Sequence, residues 1–288
     1  MNSKSTKIHN HNSKCYRHEL LQLCKNGDGM FDSCVDMTYL ITMENSKRHK
    51  SFMNQLYKYT PASKIIIQYN KGYRKCSKKI KTQNTHHDLT DAYRNIFVHS
   101  QQNNYKKILI FEDDFIIDPN YFEQSDIAQI CKFVKNNNFD VYNLGPLDAL
   151  PIPFGDHNIN ISYSASHACI YNAPYIVEFI KAATKNKIDH CDEFWNNLKF
   201  IKYSYHKPII FQIYEMTENK KNNWVTNNGY ADYNIFNGVK RYGLDKNYEN
   251  YQTVYNQDKV KSWCIALAII LAIIVVAIII VLIIHYKK

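Results

Sequence analysis

Three acids in a row, Glu112, Asp113 and Asp114, follow directly on the apolar run Ile108-Leu-Ile-Phe111. A second group of charged and metal-ligating residues, Asp189, His190, Asp192 and Glu193, lies about eighty residues on. Carboxylates are hard oxygen ligands, and two on one side of a strand end could hold a hard divalent cation. If extended geometry persists past Phe111, Glu112 and Asp114 point the same way, because side chains alternate along a strand. An acid can also serve as general base, and a histidine as a ligand or proton carrier. The bland alternative is that the acids begin a solvated turn. No Gly or Pro separates them from the apolar run, which weighs against that alternative.

The elements that must carry these residues read as alternating strands and helices. Met37 to Met43 reads as a strand, Glu44 to Tyr59 as a helix, and Lys64 to Tyr69 as a second strand. His86 to Gln102 has Leu89, Ala92, Tyr93, Ile96 and Phe97 at helical spacing, and the acid-tipped strand follows. Tyr121 to Val134 is a helix with Ile127, Ile130, Cys131 and Val134 inward, and Phe139 to Leu144 is the next strand. This β-α-β-α-β-α-β order predicts an α/β fold with a mostly parallel sheet and helices on both faces. In such sheets ligands bind where the strands end. Residues 145 to 158 read as an irregular, proline-containing loop. Ile159 to Tyr163, Ala168 to Tyr171, Phe200 to Tyr205 and Ile209 to Tyr214 read as short strands. Asn172 and Pro174 start a helix to Thr184.

Outside that region the expectations are coarser. Residues 1–35 read as a polar arm with one short helix, Glu19 to Cys24; 36–215 form the domain; 216–261 are an Asn-, Tyr- and Lys-rich stalk; 262–285 are a transmembrane anchor. Trp263 to Ile284 contains no charge, Pro or Gly, and as a helix it spans about 33 Å against a bilayer core of about 30 Å. Lys259, Lys261, Lys287 and Lys288 flank it, with Trp263 and Tyr286 at interfacial positions. The polar N-terminus has no apolar core of a signal peptide, so the expected orientation leaves the domain in the cytosol.

The chain has 288 residues, and its net charge of +10 suits an anionic ligand or a membrane surface. Lys71 to Lys81 carries six cations, Lys71, Arg74, Lys75, Lys78, Lys79 and Lys81, either as a solvated loop or as a flap over a diphosphate. Aromatic residues are sparse there, and no nucleic-acid motif accompanies it. The eight cysteines form no C-x-x-C pair, which argues against zinc and suggests a reducing compartment. Asn160-Ile-Ser162 matches a glycosylation sequon.

Together these segments resemble family 25 glycosyltransferases, the group that includes lipopolysaccharide and collagen galactosyl-type enzymes. Tyr39-Leu-Ile-Thr-Met-Glu-Asn-Ser-Lys-Arg48 resembles that family's opening strand, and His87 its Ser-His element, with His86 in place of the serine. Ile110-Phe-Glu-Asp-Asp-Phe115 resembles its metal-binding strand end. Ser166-His-Ala-Cys-Ile-Tyr171 resembles a later strand, with Cys169 where an aromatic is usual. Ile188-Asp-His190 and Pro208-Ile-Ile-Phe-Gln212 resemble its last elements. The match covers roughly Met37 to Gln212 and implies a GT-A-like, Rossmann-like fold. It implies a nucleotide-sugar donor, a Mn²⁺ or Mg²⁺ cofactor and a glycan, protein or lipid acceptor. Asp114, Glu112 and His190 would be metal ligands, with Arg48, Glu112 and Asp113 beside the donor. Asp189 is the favoured base, and Asp192 and Glu193 are alternatives; His167 and His87 read as structural. Two other readings stay open: a metal-dependent phosphohydrolase using Glu112, Asp114, Asp189 and Asp192, and a degenerate transferase fold tethered as a binding or scaffold protein.

Overall fold

The computed structural model describes residues 4–8, 14–146, 151–163, 165–212 and 267–280. Strands β1 (Lys4–Ile8), β2 (Tyr16–Gln22), β3 (Met37–Met43), β4 (Lys64–Asn70), β5 (Lys107–Glu112), β7 (Val141–Asn143), β8 (Pro151–Phe154), β9 (His157–Asn160), β10 (Ala168–Asn172) and β11 (Lys202–Tyr205) build one ten-stranded sheet. Its order is β1-β2-β4-β3-β5-β10-β7-β11-β9-β8. Strands β6 (Phe115–Ile117) and β12 (Ile210–Gln212) pair separately. The helices are α1 (His49–Tyr59), α2 (Thr85–Gln102), α3 (Gln124–Asn136), α4 (Ala173–Thr184) and the single turn α5 (Cys191–Phe194).

Helices do cover both faces. Alternation along the central strands divides their side chains between two cores. Leu40, Ile65, Ile67, Leu109 and Phe111 pack with Phe52 and Leu56 of α1 and Ile127, Ile130 and Val134 of α3. Tyr39, Ile41, Ile66, Ile108 and Ile110 pack on the opposite face with Ala92, Tyr93, Ile96 and Phe97 of α2, Tyr175, Ile176 and Phe179 of α4, and Trp195. Burial on both sides explains why β3, β4 and β5 are near-continuous apolar runs.

The sheet is mixed rather than mostly parallel. Parallel pairing is confined to β3 with β4, β3 with β5, and β7 with β11. The other six neighbours are antiparallel. The first reason is at the N-terminus. The first four residues of the helix expected over Glu19 to Cys24 are instead the end of β2, which pairs antiparallel with β4 along its whole length, and Leu23 and Cys24 follow it outside the strand. The apolar β4 needs a neighbour on each side, and that tertiary demand overrides local helical propensity. Segment 1–35 therefore extends the sheet at 4–8 and 16–22 and runs through turns from 24 to 34. The second reason lies in residues 145–158, expected as an irregular loop. Pro151 to Phe154 and His157 to Asn160 form a hairpin whose two-residue turn holds Gly155 at φ 62. Its two prolines are tolerated because β8 is the sheet edge, where one side needs no ladder donor.

The remaining elements match the expected positions to within a few residues, with two informative exceptions. Helix α1 starts at His49 rather than Glu44, which leaves 44–48 as a loop. Strand β5 ends at Glu112, so Asp113 and Asp114 occupy a turn, and alternation does not extend to them.

Four cysteines are paired, as Cys15–Cys76 and Cys34–Cys131, against the expectation drawn from their scattered spacing. Asn160 of the sequon is buried in β9 and donates to Ser204 Oγ at 3.0 Å, so its amide is not presented for glycosylation. Residues 267–280 are helical, and no helix among the described residues is long and apolar enough to cross a membrane. The ends of the anchor expected at 262–285, and all of the stalk at 216–261, lie outside the described residues.

Candidate functional site

The chain reverses direction across the sheet at β3. The connection through α1 leads to β4 on one side; the connection through α2 returns to β5 on the other. The segments leaving the C-terminal ends of β3 and β5 lead to α1 and α3, which pack on the same face of the sheet. The crevice between such ends is where open α/β sheets bind ligands. Register places Ile41 opposite Glu112, so Thr42 and the following loop face the acid turn.

Asp113 is held tightly in the turn that follows β5. It accepts from Thr42 Oγ1 at 2.7 Å and Ser46 Oγ at 2.6 Å, and Arg48 Nη2 lies 2.5 Å from its other oxygen. Arg48 also reaches Asp114, with Nη1 3.9 Å from Oδ2. Gln212 Nε2 donates to that same Asp114 oxygen at 3.1 Å. The β6–β12 pairing sets this contact, because it places Gln212 opposite Phe115. Both aspartates are buried. Asp114 Oδ1 and Arg48 Nε have no hydrogen-bond partner among the described residues.

The electrostatics follow from this geometry. Burial pushes the Asp114 carboxyl up to about 6; Arg48 pulls it back and the neighbouring Asp113 adds to the rise. Burial opposes the charge of Arg48, but Asp113 and Asp114 outweigh it and raise the guanidinium further. One guanidinium thus faces two buried carboxylates.

Glu112 points elsewhere. Its Oε1 accepts from Tyr93 at 2.8 Å and from Ser166, on the α2 side of the sheet. His167 is fully buried. Its Nε2 stands 3.1 Å from the Ile210 carbonyl and so carries the ring proton, leaving Nδ1 as an unpartnered acceptor among the described residues. Burial lowers it to about 4, so it is neutral. Position 145 must be glycine here, because a Cβ would collide with the Ile210 carbonyl and His167 Nε2.

The second charged group sits at the start of α2. Asp189 is 59% exposed and pairs with Lys81 at 2.5 Å, while His87 Nε2 is 3.5 Å from the same oxygen. Lys81 first, then His87, holds the Asp189 carboxyl below its ordinary range. The His190 ring meets His86 edge-on at 4.3 Å. Burial, followed by the charges of His190 and His87, lowers His86 to about 4. The side chains of Asp192 and Glu193 lie outside the described residues.

The basic loop links the two groups. Gly72 lies against Met43 at the end of β3. Lys78 is buried and donates to Asp88 at 2.5 Å, Asn70 Oδ1 at 2.6 Å and Tyr16 Oη at 2.8 Å. Lys78 is therefore a structural anchor of the loop, whereas Arg74, Lys75, Lys79 and Lys81 are exposed.

The structure thus brings Arg48, Asp113 and Asp114 into one site, with Glu112 adjacent in the chain but held to α2. His190 and Asp189 belong to the rim beside the basic loop. No group of three or more His, Cys, Asp or Glu side chains among the described residues is arranged to hold a metal. Thr42, Ser46, Tyr93 and Ser166 are partners that sequence reasoning assigned no role. Thr42 and Ser46 carried a faint signal, as hydroxyl residues just past an apolar strand.

No protein-family model matches the chain, and no curated protein matches it. Among solved structures it is similar to the crystal structure of A197 from STIV, at 10% identity over 63% of this chain and 87% of that chain. The TM-score is 0.37, a likeness too slight to bear on function.

Proposed function

We propose that this chain is a membrane-anchored, metal-dependent glycosyltransferase that moves a sugar from a nucleotide-sugar donor to a hydroxyl acceptor. The finer description of its mixed α/β sheet as GT-A-like belongs to this proposal. The observation that carries it is Asp114: a buried carboxylate at the switch point of the sheet, with one oxygen lacking any partner among the described residues.

The donor set fits a cation of the Mg²⁺ or Mn²⁺ type. Such ions at phosphate sites take one or two protein carboxylates and complete their shell with phosphate and water, so three protein ligands are not needed. Asp114 would hold the ion, with Asp113 and Glu112 adding to the negative field. When bound, the ion neutralises charge developing on a diphosphate leaving group. Arg48 fixes the direction of both aspartates, and Thr42 and Ser46 fix Asp113. The exposed cations Arg74, Lys75 and Lys79 supply positive potential at the rim for an anionic donor. Asp189 stays ionised, as a base accepting the acceptor's hydroxyl proton must be.

The anchor is part of the same reading. Residues 267–280 are wholly apolar, and the large hydrophobic side chains there are 48–62% exposed. A helix apolar on every side needs an apolar surrounding, and a bilayer supplies one.

The test is turnover of a panel of nucleotide sugars by the full chain in detergent with Mn²⁺. Turnover that disappears in Asp114→Asn, with the fold retained, supports the reading. Turnover unchanged in that variant removes the role given to Asp114, and phosphate release without an acceptor makes the protein a phosphohydrolase. A second reading, a degenerate fold kept as a tethered binding protein, draws on the Arg48 bridge, in which a guanidinium stands where a metal could. Under that reading a Mn²⁺ titration shows no metal-dependent nucleotide binding.

A further inference from the structure

Cys15 immediately precedes β2, and Cys76 lies in the basic loop; their Cα atoms are 5.6 Å apart. Cys34 precedes β3, and Cys131 lies on the buried face of α3; their Cα atoms are 5.0 Å apart. Both separations fall in the range a disulfide spans. The partners are 61 and 97 residues apart in sequence, so local chain geometry produces neither pairing. Each bond ties the segment between residues 14 and 36 to the body of the domain, one at each end.

Cys15–Cys76 bears on the site. The backbone of Lys71 donates to the Cys15 carbonyl at 3.1 Å, so the loop is joined to the start of β2 at two points. Beyond Cys76, Lys78 is buried against Asp88 and Lys81 pairs with Asp189. The cross-link therefore closes the outer end of a loop whose inner end is fixed by a buried lysine. The exposed cations flank these fixed points, Arg74 and Lys75 just before Cys76 and Lys79 just after Lys78.

We propose that the domain matures and works in an oxidising compartment, where Cys15–Cys76 clamps the basic loop beside the acid crevice. Each bond forms when two thiols lose two protons and two electrons to a disulfide acceptor, such as a disulfide-carrying oxidoreductase, which is reduced to two thiols. A reducing cytosol would reverse the step. With the apolar helix in a bilayer, the domain then faces a lumen or the exterior, opposite to the cytosolic orientation expected from the sequence. The inference does not depend on the transferase reading.

The test uses the full chain made in a secretory host, alkylated without reduction and mapped by mass spectrometry. Linked peptides joining Cys15 to Cys76 and Cys34 to Cys131 are the expected result. Trypsin then reads the clamp. In C15S/C76S, cleavage after Arg74, Lys75 or Lys79 rises by about tenfold, the effect of freeing a locally held segment, while C34S/C131S leaves it unchanged. Gentle chemical reduction of the wild-type chain gives the same rise if the double variant fails to fold. Free Cys15 and Cys76 thiols in the secreted protein, or loop cleavage unaffected by both reduction and C15S/C76S, overturns the proposal.

Discussion

Replacing Asp114 with asparagine should make the protein more stable at neutral pH while removing its activity. The carboxyl is held at about 6 against an ordinary value of 3.8, and burial is the main cause. That difference corresponds to about 3 kcal/mol favouring the protonated form in the folded chain. Below 3.8 the group is protonated whether the chain is folded or not, and it contributes no pH dependence. Between 3.8 and about 6 the folded chain keeps a proton that the unfolded chain has released, so stability falls as pH rises. Above 6 the loss is complete. Asparagine carries no charge at any pH and escapes this cost. Its amide does not reproduce every contact, so the net gain should be about 1–3 kcal/mol, or about 3–10 °C in Tm for a domain of this size. The assay is thermal unfolding of the full chain in detergent, wild type against Asp114→Asn, from about pH 4 to about pH 8. The gain should be near zero at the acid end and reach a plateau above about pH 6. A variant less stable than wild type near neutrality, or a difference independent of pH, would refute the view that Asp114 is an undercompensated buried charge.

Three further outcomes follow from the same geometry. Arg48→Met leaves Asp113 and Asp114 buried without their cation, so stability near neutral pH should fall by about 3–5 kcal/mol and recover partly on acidification, read by denaturant titration. Lys78→Met strands Asp88 in the same way and should cost a similar amount, whereas Lys78→Met with Asp88→Leu should be much milder, because the pair is removed together. Asp189→Asn removes an exposed charge that faces Lys81 and His87, so unfolding should change little; if Asp189 is the base, turnover falls and loses its acid limb in the pH–rate profile.

The central strands and most helices were legible because burial on both faces leaves an unmistakable apolar signature. Met37 to Met43 and Lys64 to Tyr69 read as strands for that reason, and the second runs one residue further, to Asn70. The sheet edges were not legible. Tyr16 to Gln22, next to the edge strand β1, mixes charged and apolar residues because part of it is only half-buried, and its pairing with β1 and β4 makes it a strand. Pro151 and Pro153 signal a loop by local rules, which say nothing of an edge position with a free side. The acids were found by sequence, but their geometry was not. Alternation predicted a common direction for Glu112 and Asp114, and the chain turns at Asp113 instead. The resemblance put Arg48 with Glu112 and Asp113 beside a common donor, but its direct contact with both aspartates was not legible, since that contact depends on the β3–β5 register and on α1 beginning five residues late. Cysteine spacing was likewise silent on pairings that join residues far apart in the chain.

The charge count at the crevice gives the site its character. Two buried aspartates face one arginine, so the pocket is short of one positive charge when Asp114 is ionised. A fold selected for stability alone could replace the set with apolar residues of similar volume at little cost or with some gain. Here the shortfall falls on one oxygen, Asp114 Oδ1, which has no donor among the described residues, while Asp113 has three. Three fixed contacts on one acid and an open position on its neighbour make an uneven arrangement. Arg48, Thr42 and Ser46 hold the turn in place, and the unmet demand is directed to a single point. A divalent cation arriving with an anionic phosphate group would meet that demand. It would also stabilise the folded chain by mass action, so Mn²⁺ should raise the Tm of the wild type and leave Asp114→Asn unmoved.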